Sequence, residues 1–231
     1  HGYDLIINGR RTDRLQALAD ILEKKYNVDV LCLPFDVRDE KTVLASIESI
    51  PAEWKKIDVL INNAGLAMGR DYFDEGDLND WNVMIDTNVK GFLYVGKAVS
   101  QLMVLQKQGH IINMGSIAGK QVYEKGNVYC ASKYAVDAIS QGMRIDLLRY
   151  NIKVTSINPG AAETEFSIVR FKGDEATAKK IYDGLKPLTA MDVAEIIFYC
   201  ASLPPHVCIN DLSVTCLQQA DTIYFNRKTA D

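Results

Sequence analysis

Short apolar runs alternate along this chain with longer stretches in which apolar residues recur every three or four positions. The short runs at Leu5–Asn8, Val28–Leu33, Val59–Asn62, His110–Met114, Ile152–Asn158 and Leu212–Thr215 predict β-strands. Several are apolar throughout rather than alternating, as in strands covered on both faces. The periodic stretches predict helices over Thr12–Lys25, Glu40–Ile50, Leu78–Gln106, Val128–Arg149 and Ala190–Ser202. Alternating strand and helix at this spacing implies an α/β fold with a doubly wound parallel sheet. No repeat, low-complexity tract or linker interrupts the pattern, so one domain is expected over residues 1–231.

Composition narrows the picture. Of 231 residues, 48% are hydrophobic, enough for one well-filled core. The net charge of −4 gives no basic field for nucleic acid. No apolar run approaches the ~20 residues of a membrane span. The five cysteines lack CxxC spacing and read as reduced, mostly buried thiols, which points to a cytoplasmic protein. The three histidines show no metal-ligand spacing, so no metal is expected.

Candidate chemistry concentrates where strands end. Tyr129 and Lys133 stand one helical turn apart and share a face. An ammonium beside a phenol stabilises the phenolate, which makes Tyr129 a candidate proton donor or acceptor. Upstream, the strand His110-Ile-Ile-Asn-Met runs into Gly-Ser116 and leaves a hydroxyl at its carboxyl end. Asn62-Asn-Ala-Gly65 and Val154-Thr-Ser-Ile-Asn-Pro-Gly160 repeat the strand-then-turn pattern. Open α/β sheets bind ligands outside the carboxyl ends of their strands, so these turns mark the expected site. Small residues at Asn63, Ala64 and Gly65 let a backbone approach a ligand closely.

Asn8-Gly9-Arg10-Arg11 closes the first strand of the chain. Dinucleotide folds that select NAD place an acid at this point to accept from the ribose 2′-hydroxyl. Arginine instead forks onto a 2′-phosphate, so Arg10 and Arg11 suggest NADP; a solvated basic turn is the alternative.

Taken together, these motifs resemble the short-chain dehydrogenase/reductases, over nearly the whole chain from Leu5 to about Thr215. Within that family the chain is most similar to NADP-dependent 3-hydroxy acid dehydrogenases of the serine and L-allo-threonine type. Leu60-Ile-Asn-Asn-Ala-Gly-Leu-Ala67, Trp81-Asn-Val-Met-Ile-Asp-Thr-Asn88, Thr164-Glu-Phe-Ser-Ile-Val-Arg-Phe-Lys-Gly173 and Leu203-Pro-Pro-His206 carry the likeness. The resemblance implies a Rossmann-like fold and a catalytic set of Asn88, Ser116, Tyr129 and Lys133. It places Asp36 and Val37 at the adenine of the cofactor, although an Asp after this strand also suits a helix N-cap, for which Asp39 is better positioned. It puts Pro159, Gly160 and Thr164 around the nicotinamide, with Tyr129 and Lys133 on its ribose.

Ser116, Tyr129 and Arg170 are the candidate substrate contacts, Arg170 (with help from Lys172) for a carboxylate. A solvated basic face is the ordinary alternative for both cations. The resemblance further implies a homodimer or homotetramer built on the Leu78–Gln106 and Val128–Arg149 helices. Other readings are reduction of 3-oxoacyl or sugar carbonyls, or dinucleotide binding without turnover.

One departure stands out. The family opens with a strand and a Gly-rich turn that cradles the cofactor pyrophosphate. This chain starts at the family's second strand, so roughly 25 residues of strand, turn and helix fall outside it. The expectation is that the protein possesses them.

Overall fold

The structure is a computed structural model and describes residues 1–228. In chain order it comprises β1 (Leu5–Gly9), α1 (Thr12–Tyr26), β2 (Val30–Pro34), α2 (Glu40–Glu48), β3 (Val59–Asn62), α3 (Leu78–Ile85), α4 (Phe92–Gln106) and β4 (Gly109–Met114). It continues through α5 (Asn127–Leu147), β5 (Ile152–Pro159), β6 (Ala162–Glu163), α6 (Glu165–Arg170), α7 (Glu175–Lys180), β7 (Leu188–Thr189), α8 (Ala190–Ser202) and β8 (Asp211–Val214). The α/β alternation is as expected, and the principal strands are parallel. They form two sets, β1-β2 and β3-β4-β5-β8, and β1 and β3 are not hydrogen-bonded to each other.

Helices cover both faces of the larger set. Ile111 points to one face and packs with Val43 and Ile47 of α2, Val99 and Met103 of α4, and Met143 and Leu147 of α5. Its neighbour Ile112 points the other way, onto Val193 and Cys200 of α8. Both isoleucines are fully buried, each stabilising the sheet by about 1.5–3 kcal/mol. This two-sided burial is why the strand reads as apolar at every position.

Local chemistry fixes the element ends. Asp39 caps α2, its carboxylate accepting from the Thr42 N–H at 3.1 Å. Thr189 and Asp192 close a reciprocal capping box at α8. Asn27 ends α1 in the left-handed region at φ 52°. Residues 28 and 29 therefore belong to the connection, and β2 begins at Val30 rather than at Val28. The predicted helix Leu78–Gln106 is also divided. Between α3 and α4 the chain makes a wider π turn at Asp86–Gly91. Apolar periodicity runs on through that turn, so the pattern alone did not reveal it. The pairs β6–β7 and α6–α7 are too short to carry a periodic signal.

Parallel pairing brings the carboxyl ends of the strands to one edge. Asn62 pairs with Asn113, and Met114 with Ile157. The turns that follow β3, β4 and β5 consequently open on a common cleft.

Candidate active site

Tyr129 and Lys133 lie on the first turns of α5, both buried. The Asn127 side chain accepts from the Val128 N–H at 2.6 Å and helps satisfy the helix start. The turn after β4 packs hard against this helix. A Cβ added at Gly119 would lie 2.6 Å from the Lys133 carbonyl oxygen, so only glycine allows the approach. Ser116 caps that turn, its Oγ accepting from the Ala118 N–H at 3.1 Å and donating to the Pro159 carbonyl at 3.4 Å. The Lys133 ammonium donates to the Met114 carbonyl at 2.8 Å. Asn88 sits on the π turn. Its amide accepts from the Leu66 N–H at 2.8 Å and donates to the Leu66 carbonyl at 2.7 Å and to Ser132 Oγ at 3.0 Å.

Burial governs the electrostatics. It pushes the Tyr129 phenol well above its ordinary range, partly opposed by the Ser116 hydroxyl and the Arg170 guanidinium. Burial lowers Lys133 to about 8. This corrects the expectation that Lys133 lowers the phenol. Its ammonium serves the Met114 carbonyl, and low-dielectric surroundings drive both groups towards their neutral forms.

A cleft of about 960 Å³ opens here, lined by Arg11, Asn63, Gly65, Ser116, Tyr129, Lys133, Pro159, Gly160, Thr164 and Arg170 among others. Of the expected site residues, Gly9, Arg10, Asp36, Val37, Ala64 and Asn88 are not on its wall. Val37 is a core residue packed with Phe35 and Val43. Asp36 is gripped by Arg38, which donates Nε to Oδ1 at 3.0 Å and Nη2 to Oδ2 at 2.6 Å, and this pairing holds its carboxyl below the usual range. Arg10 approaches the same carboxylate at 3.9 Å. Arg11 and Arg14 reach Glu165 of α6 at 3.9 Å and 3.5 Å.

The far end of the cleft is closed by α6. Thr164 caps that helix, accepting from the Phe166 N–H at 3.2 Å. Arg170 donates Nε to the Gly69 carbonyl at 3.1 Å and Nη1 to the Tyr123 hydroxyl at 2.9 Å. Its guanidinium carbon lies 5.6 Å from the centroid of the Tyr129 ring. Lys172 does not join it. Its ammonium is bound to Asp80 at 2.8 Å, away from the cleft wall, so it ties the helix down instead.

Two residues on the wall carry no sequence signal. Tyr123 bridges Arg170 and the turn before α5. Gln219, buried in the segment after β8, accepts from the Ala161 N–H at 2.7 Å and so fixes the Pro159–Ala161 turn. A Cβ at Gly160 would fall 2.3 Å from the Gln219 amide oxygen.

The family model for short chain dehydrogenase matches residues 1–174. The chain belongs to this family. An NADP-dependent 3-hydroxy acid dehydrogenase from Salmonella typhi is 44% identical over 95% of the chain and 88% of its own length. Sulfoacetaldehyde reductase 2 from Chromohalobacter salexigens is 43% identical over 95% of the chain and 86% of its own. Among solved structures, the closed form of serine dehydrogenase complexed with NADP+ superposes with a TM-score of 0.91 at 41% identity, covering 99% of this chain and 91% of that one.

As a short-chain dehydrogenase the chain should hold a dinucleotide, and its residues fit one. Lys133 is a buried ammonium whose single hydrogen bond leaves two protons free for ribose hydroxyls. Gly65 lies beside it, where an added Cβ would come within 3.4 Å of Asn88 Oδ1 and 3.6 Å of Nζ. Arg10 and Arg11 stand at the end of β1. Among the described residues no three His, Cys, Asp or Glu side chains gather to hold a metal, and no helix is long and apolar enough to cross a membrane. All five cysteines are unbridged.

Proposed function

We propose that this protein is an NADP-dependent oxidoreductase that interconverts a small 3-hydroxy acid and its 3-oxo counterpart. Family membership and the two relatives above support the reaction type. The observation that carries the substrate class is Arg170: a guanidinium without a carboxylate partner among the described residues, inside the cleft, 5.6 Å from the Tyr129 ring. A carboxylate held there by charge-assisted bonds leaves the neighbouring carbinol at the phenol.

When bound, NADP supplies or accepts the hydride. The protein's part is proton transfer and positioning. Tyr129 gives its proton to the carbonyl oxygen in reduction and takes it back in oxidation. Ser116 donates to the same oxygen, where negative charge develops. Lys133 holds the ribose, and Asn88 orients the Leu66 backbone and Ser132 beneath it. Arg10 and Arg11 take the 2′-phosphate. Pro159, Gly160 and Thr164 frame the nicotinamide. Asp36, engaged by Arg38, positions that arginine at the adenine end.

The chain acts as one domain of a cytoplasmic homo-oligomer. Exposed Leu93 and Leu105 on α4, with Tyr134 and Ile145 on α5, supply apolar surface for pairing these helices.

The substrate reading is tested with Arg170→Ala, assayed on 3-hydroxypropionate and on its methyl ester. We expect kcat/KM for the free acid to fall at least ~30-fold, and that for the ester much less. Equal losses on both would reject a carboxylate site at Arg170.

A further inference from the structure

Arg70 is a second guanidinium at the substrate end of the cleft. It follows Gly69, which stands at φ 67° and commits both of its peptide groups to Arg170. The Gly69 N–H donates to the Arg170 carbonyl at 2.9 Å, and the Gly69 carbonyl accepts from Arg170 Nε at 3.1 Å. The two arginines are therefore spaced by backbone, not by flexible side chains alone. Tyr123 is their shared platform: its ring centroid lies 5.6 Å from the Arg170 guanidinium carbon and 5.8 Å from that of Arg70.

Neither arginine makes a salt bridge among the described residues, whereas Arg10, Arg11, Arg14 and Arg38 all do. Asp80, the acid nearest this segment's other cation, is taken by Lys172. Two guanidiniums round one ring, neither ion-paired although Asp71 lies next to Gly69, repel each other, and an oxyanion between them relieves that repulsion. A carboxylate offers about four acceptor positions, enough to serve both forks.

We propose that Arg70 is a specificity-determining residue that joins Arg170 in holding the substrate's carboxylate. Arg170, braced by Gly69 and Tyr123, is the fixed member. Arg70, exposed at the mouth, closes over the anion from the solvent side. The assignment rests on the 3-hydroxy acid reading above.

The experiment is a double-mutant cycle. Arg70→Ala, Arg170→Ala and the double variant are assayed on 3-hydroxypropionate and its methyl ester, at low and at high salt. Loss of one charge-assisted contact predicts a fall in acid-over-ester selectivity of roughly tenfold for Arg70→Ala, expressed mainly in KM. Because both forks grip one anion, the double variant should lose less than the product of the single losses. Unchanged selectivity for Arg70→Ala, equal losses on acid and ester, strictly multiplicative losses, or a selectivity effect as large at high salt as at low salt would each overturn the role of Arg70. If Arg170→Ala itself leaves selectivity intact, the carboxylate reading of the site fails instead.

Discussion

Gln219 holds the Ala161 N–H at 2.7 Å, and through that bond the segment after β8 fixes the Pro159–Ala161 turn, the proposed seat of the nicotinamide. The same segment is tied to the turn after α7, where Gln218 donates to the Gly184 carbonyl at 2.9 Å. Replacing Gln219 with leucine keeps the volume and removes the acceptor, leaving a half-buried N–H unpaired. That costs about 1–3 kcal/mol and loosens the turn. We expect kcat to fall about tenfold, with the KM for the hydroxy acid changed far less. A variant that loses only thermal stability and keeps its kcat would show that Gln219 is a structural tie.

Tyr129→Phe removes the proton donor and leaves the ring. The loss in turnover should be at least ~10² for both directions. Binding of NADP, followed by fluorescence titration, should persist. Turnover near the original value would assign the proton transfer elsewhere.

We propose that cofactor choice rests on Arg10 and Arg11. We expect kcat/KM to favour NADP over NAD, and the Arg10→Ala/Arg11→Ala variant to narrow that ratio through a raised KM for NADP. Arg11 is shared with Glu165 at 3.9 Å, so Glu165→Gln should tighten NADP and leave NAD unaffected. A wild-type preference for NAD would overturn the assignment.

Lys133 makes a prediction about stability. Burial sets its folded pKa at about 8, below the ordinary 10.5 of lysine. Between those values the unfolded chain holds the proton more tightly, so this site's contribution to stability rises as pH climbs from about 8 towards 10.5. Below that window both states are charged, and the folded one carries a buried cation at a cost on the order of 3 kcal/mol. Lys133→Met should abolish activity yet raise the Tm of the cofactor-free protein at pH 7 by a few degrees, with the gain shrinking at high pH. A lower Tm for the variant at pH 7 would mean that the Met114 bond outweighs desolvation.

That Tyr129, Lys133 and Ser116 face one cleft is legible in the sequence, because a single helical turn and a strand end suffice to place them. Arg170 is legible as a cation near the closing segment, but not its bond to the Tyr123 hydroxyl. Tyr123, Arg70 and Gln219 reach the cleft from three separate segments, and only tertiary folding brings them together. The direction of the Tyr129 shift is beyond spacing as well: spacing locates the ammonium, whereas burial decides which form of the phenol is favoured. Lys172 shows the same limit from the other side, since a basic stretch does not reveal the aspartate that neutralises one of its members.

The π turn at Asp86–Gly91 has a consequence for how this protein can change. It carries one residue more than an α-helical path, and each residue turns a helix by about 100°. Deleting a single residue there would join α3 and α4 into an unbroken helix with more regular hydrogen bonds. It would also rotate Asn88 out of phase with Leu66 and Ser132. Shortening at this seam should thus leave a well-folded chain whose cleft floor is lost, making Asp86–Gly91 a place where indels are barred by the site and not by the fold.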